Sequence, residues 1–166
     1  MIELEHEIKE FKNGLLHFGV IGVRILFIKE PVLEIIENYP YDYFKGTESE
    51  MIESIPSKGY KDWKKGVFYG IEYAYSKLDD KYIGLKVIID KVIGLHLDSN
   101  SIILAFIASR VILSSLLNTE SYEEKGKLEQ LVFNSWDYDL EAQLNFENYT
   151  IVGQKLSESR YKVNEK

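Results

Sequence analysis

The sequence predicts an α+β domain, a mixed or antiparallel sheet of four or more strands covered on one face by two helices. Three observations lead to it. Residues 2–11 alternate apolar and charged positions with the period of a half-buried strand. Residues 57–78 place Tyr60, Trp63, Val67, Ile71, Ala74 and Leu78 at spacings of three and four, the stripe of an amphipathic helix. Residues 83–117 then run as strand, short polar tip and apolar helix, and form the most hydrophobic stretch of the chain.

In the first strand Ile2, Leu4, His6 and Ile8 alternate with Glu3, Glu5, Glu7 and Lys9. Lys12-Asn13-Gly14 supplies turn types that tolerate positive φ, so a hairpin follows, with a second strand over 17–29 carrying Ile21, Val23, Ile25 and Phe27 on one face. Glu30-Pro31 ends it. Residues 32–39 fit either a short helix or a strand continuation, and 39–46 form an aromatic loop. Its Tyr39, Tyr41, Tyr43 and Phe44 suit either a binding surface or a cover for the edge of the core. A third strand is expected over 48–55, and Pro56 opens the first helix.

Residues 79–82 read as a polar turn, and 83–94 as a strand apolar on both faces, hence central. Asp98 or Ser99 is the expected N-cap of the second helix. That helix is apolar nearly all round and has to be covered, with Arg110 the exception, expected to reach the surface. The charged stretch at 119–127 reads as an exposed connection. It divides an α+β domain at 1–118 from a C-terminal extension at 119–166, which is expected to pack on the same domain through short strands or a strand-helix mixture and to fray over 157–166.

With 166 residues the chain fits one core, and 27 acidic against 20 basic side chains give a net charge of −7. That sign repels phosphate backbones and suits a basic protein partner. Without cysteine there are no disulfides, thiolate metal sites or cysteine nucleophiles. The most apolar run, 102–117, is shorter than the roughly 20 residues that span a bilayer. The acidic, alternating N-terminus is unlike a secretory signal. A cytoplasmic protein without membrane contact is expected.

Chemistry is sparse. His6, His17 and His96 are the only histidines, and none has a second ligand type at a helical i, i+4 spacing. His6 and His17 fit either a facing pair across the hairpin or, more commonly for a histidine in such a strand, satisfied core or edge residues. His96, Asp98 and Ser99 match a catalytic triad by type but sit too close in sequence to converge unaided. Gly59, Gly66 and Gly70 fall inside a helical pattern rather than in a phosphate loop. The expectation is a non-catalytic binding protein without cofactor or metal. Its candidate surface is the tip His96, Asp98, Ser99 and Asn100, the helix lysines Lys58, Lys61 and Lys65, and the aromatic Tyr41 and Tyr43. The lysines stand with Lys64 on one helix side, as a phosphate-contacting patch or as a solvated face.

The order of elements and several strings resemble domain IV of the translational GTPase elongation factor G, with its ribosomal-protein S5 domain 2-like fold. These are Phe18-Gly19-Val20-Ile21-Gly22-Val23-Arg24-Ile25, then Ile55-Pro56 with Lys65-Gly66-Val67 and Gly70-Ile71, then His96-Leu97-Asp98-Ser99, together spanning 15–117. The resemblance implies a stand-alone module that acts at the ribosome or on RNA through the tip and the helix lysines. This chain departs from the pattern in three places, the first being that His96 lies near, but not in register with, the tip histidine often seen in the family. Lys12-Asn13-Gly14-Leu15-Leu16 lacks the family's arginine, and no GTPase domain accompanies the module. Charge favours the other partner class, a basic protein, with an immunity protein or antitoxin as the example.

Overall fold

A computed structural model describes residues 1–39, 52–55, 61–78, 83–116 and 121–156. Tyr41, Tyr43, Phe44, Lys58, the turn at 79–82 and the last ten residues fall outside the described residues. The hairpin is formed by β1 (Ile2–Lys12) and β2 (Leu15–Ile28), paired antiparallel from Ile2↔Ile25 to Lys12↔Leu15. Its two-residue turn has positive φ at both Asn13 and Gly14, +53° and +76°, the primed geometry that matches strand twist. His6 stands opposite Ile21 and His17 opposite Glu10, so the two histidines do not pair.

Three further strands complete the sheet: β3 (Leu33–Glu37), β4 (Ile52–Ile55) and β5 (Gly84–Leu95). β5 is central, antiparallel to β2 and β4 and parallel to β3, which makes the sheet mixed. The ambiguous 32–39 segment is thus strand. β5 has one residue too many opposite Gly22 and Val23, and the bulge releases Asp90, which accepts both Nε and Nη2 of Arg24 at 2.7 and 2.6 Å. Ile21, Val23 and Ile25 face the core as predicted, but Phe27, near the end of β2, is 47% exposed although its cross-strand partner Leu85 is fully buried.

Helices α1 (Lys61–Ser76) and α2 (Ser101–Leu113) cover one sheet face. They approach closely because α1 carries Gly66 and Gly70 where a Cβ would collide with the carbonyl oxygens of Ser101 and Ala105. α2 is buried from Ser101 to Ser109 without a break, and its hydroxyls are satisfied: Ser101 donates to the Ala142 carbonyl and Ser109 to that of Phe106. One expectation fails here. The N-cap is Asn100, whose Oδ1 accepts the Ile103 N–H at 2.9 Å, because Asp98 and Ser99 are already committed to β2. Arg110 is the one residue of α2 that is only half-buried; its guanidinium lies 5.0 Å from the Phe106 ring centre with Nε and Nη2 buried.

Beyond residue 120 the chain folds back over α2. The predicted exposed connection instead starts α3 (Tyr122–Phe133), because Ser121 and Glu124 form a reciprocal capping box. Leu128 and Val132 of α3 are fully buried. A 3-10 turn at Ser135–Asp137 leads to a small hairpin of β6 (Gln143–Asn145) and β7 (Thr150–Val152). Asn100 Nδ2 donates to Ser135 Oγ at 2.8 Å and ties this region to the head of α2. Among the described residues, no helix is long and apolar enough to cross a membrane.

Candidate functional site

The tip between β5 and α2 divides into an inner and an outer half. Ser99 Oγ accepts the Leu95 N–H at 2.8 Å and donates to the Phe18 carbonyl at 2.7 Å, while the Phe18 N–H donates to the Asp98 carbonyl. Ser99 and Asn100 are buried and act as struts, so neither is part of a surface. That corrects the predicted four-residue site. His96 and Leu97 are left on the outside, Leu97 being 65% exposed, with Asp98 half-buried.

The lysines of α1 are engaged with acids. Lys64 Nζ lies 2.5 Å from Glu37 Oε2 and Lys65 Nζ lies 3.2 Å from Asp62 Oδ1. Glu37 also accepts the Tyr39 hydroxyl at 3.0 Å, and burial together with that carboxylate raises the Tyr39 pKa. Lys61 sits on the first turn of α1, before the glycines. The patch expected to contact phosphate is therefore locally neutralised at Lys64 and Lys65.

The histidines do not make a metal site. Among the described residues, no group of three His, Asp or Glu is placed to hold an ion. His6 is pushed to lower pKa by burial and then by the positive charges of Arg110 and Lys125. His17 is fully buried, edge-on to Phe133 at 5.2 Å, and neither ring nitrogen has a hydrogen-bond partner among the described residues.

A concave surface that sequence reading missed lies between the second half of α1 and the β6–β7 hairpin. It is a groove of about 630 Å³ with Tyr69, Glu72, Tyr73 and Ser76 on one wall and residues 141–147 with Val152 on the other. Tyr73 and Phe146 stack at 4.2 Å and 12° to form its floor. Glu72, Glu141 and Glu147 are exposed along it, and among the described residues no lysine or arginine lines it. The two walls are some 70 residues apart in the chain. Only the period of α1, which puts Tyr69, Glu72, Tyr73 and Ser76 on one side, was available as a signal.

One end of the groove is clamped by Glu124. Its carboxylate accepts from Lys77 Nζ and from the Tyr149 hydroxyl, both at 2.8 Å, and from the Ser121 N–H at 2.9 Å. These bonds, the Lys77 one first, hold its pKa down at about 2. Burial and the Glu124 carboxylate raise that of Tyr149. α1, α3 and the turn before β7 thus meet at one carboxylate.

No protein-family model matches the chain, and no curated protein matches it. Among solved structures, the crystal structure of a protein from Thermus thermophilus is similar with a TM-score of 0.45 and 19% identity, over 68% of this chain and 15% of that one. The chain therefore spans about one-seventh of that protein's length.

Proposed function

We propose that this chain is a non-catalytic, acidic protein that works in the cytoplasm by binding a basic protein partner, in the manner of an immunity protein or antitoxin. The observation that carries the reading is the distribution of charge. Lys64, Lys65 and Lys77 of the α1 region are each matched to a carboxylate, whereas the groove beside them is lined by three glutamates and, among the described residues, no lysine or arginine. An acidic concavity with an aromatic floor suits steering and anchoring of a basic surface.

A ribosome- or RNA-associated role has one specific support. The strings that resemble elongation factor G domain IV fall on a strand, a helix and a tip in this chain, the element types that the resemblance implies: Phe18 to Ile25 within β2, Gly66 and Gly70 within α1, and His96 to Ser99 just before α2. The paired lysines and the burial of Ser99 and Asn100 weigh against it. Affinity capture from the native cell at low and high salt separates the two. A stoichiometric basic protein supports the first reading; ribosomes that wash off with salt overturn it.

A further inference from the structure

We infer that the groove between α1 and the β6–β7 hairpin is a binding site for an arginine side chain of a protein partner, an inference that rests on the basic-partner reading above. Three features meet there. Glu72 from α1, and Glu141 and Glu147 from the facing wall, present exposed carboxylates that no described lysine or arginine bridges. The floor is the Tyr73–Phe146 stack, and since Lys77 already sits 5.3 Å from the Tyr73 ring centre, the ring left for a ligand is Tyr69, 44% exposed. The groove volume, about 630 Å³, lies within the roughly 300–1,000 Å³ of side-chain and small-ligand clefts.

The arrangement selects a guanidinium. Carboxylates too dispersed to gather round a metal ion suit a cation whose charge is spread over a planar fork. The same plane stacks on a phenol ring while its edge donates to carboxylates, which a compact ammonium does less well. The aliphatic stem would lie over Phe146 and Leu144.

The test is an amide-resolved NMR titration of the full chain with N-acetyl-arginine amide, N-acetyl-lysine amide and N-acetyl-norvaline amide, at low and high salt. Arginine amide is expected to shift residues 69–76 and 141–152, to bind at least about fivefold tighter than norvaline amide, and to weaken with salt. Tyr69→Ala and Glu72→Gln, both at exposed positions, are each expected to weaken it about two- to fivefold. Equal shifts from norvaline amide, or shifts not centred on the groove, would overturn the site. The outcome is separable from the functional reading. If a basic protein is captured but Glu72→Gln/Glu141→Gln/Glu147→Gln leaves capture unchanged, the groove fails and the function stands. If arginine amide binds while no basic protein is captured, the site stands and the function fails.

Discussion

Glu124→Gln tests how the groove is held together. Glutamine keeps the length and the acceptor that complete the capping box with Ser121, and so removes charge with little loss of helix capping. The carboxyl is held at about 2 against 4.5 for a free glutamate. At 1.36 kcal/mol per pKa unit this bounds the charged-state stabilisation at about 3 kcal/mol. The side chain keeps 27% of its surface in water, and screening brings the figure to roughly 1–2 kcal/mol. Because the folded pKa lies below the unfolded one, the contribution is complete above about 4.5 and is lost as pH falls toward about 2. Urea unfolding of both proteins between neutral pH and the lowest pH at which they stay folded measures it. Glu124→Gln is expected to be less stable by that amount near neutrality, with the gap closing below pH 4.5. A gap that is constant across this range, or absent at neutral pH, would refute the clamp.

Gly70→Ala is expected to destabilise by about 2 kcal/mol or more in urea melts, although alanine is the better helix former by about 1 kcal/mol, because its methyl meets backbone of α2 that cannot yield. A net stabilisation would show that the helices separate freely. His17→Leu is expected to be neutral or to stabilise by about 1 kcal/mol, since it removes a buried imidazole with no hydrogen-bond partner among the described residues; a loss above about 1 kcal/mol would contradict the packing described. Asn100→Ala should cost about 2 kcal/mol, from the lost cap and the Ser135 hydroxyl left unpaired, whereas Leu97→Ser in the same tip should stay within about 0.5 kcal/mol. Comparable losses at both positions would mean that the tip is structural throughout.

How far the sequence could be read depended on whether a residue's environment is local. The β1–β2 hairpin was legible because alternation and Asn13-Gly14 determine strand and turn together, and α1 because its stripe spans four turns. Asn100 was passed over because Asp98 and Ser99 are equally good caps by type. What decides is that the Asp98 carbonyl and Ser99 hydroxyl are drawn to Phe18, about 80 residues away in sequence. Arg110 was legible as the break in the apolar helix, but its contact with the ring of Phe106 was not, since an i, i+4 spacing alone does not fix the rotamers of either side chain. The start of α3 carried a legible capping box, but its high charge masked the signal. Of the groove only the α1 wall was legible, from its helical period, since no local pattern reports that residues 69–76 will face the C-terminal hairpin.

That non-local origin bears on where recognition can reside. α2 is apolar nearly all round, and the sheet and α1 cover only part of it; Leu128, Val132, Ala142 and Leu144 join the same core from the C-terminal side. Burying side chains such as Leu128 and Val132 contributes on the order of 3–6 kcal/mol relative to leaving them in water. The segment from 121 to 156 is thus required by α2 for covering, and the hydrogen bonds from Asn100, Ser101 and Lys77 set its position. The same docking that seals α2 brings Glu141, Phe146 and Glu147 opposite Tyr69 and Glu72. The order of elements over residues 15–117 therefore carries little information about function in this chain. The groove is built where the C-terminal segment meets α1, so under the proposed function changes there should alter partner choice before they alter the sheet.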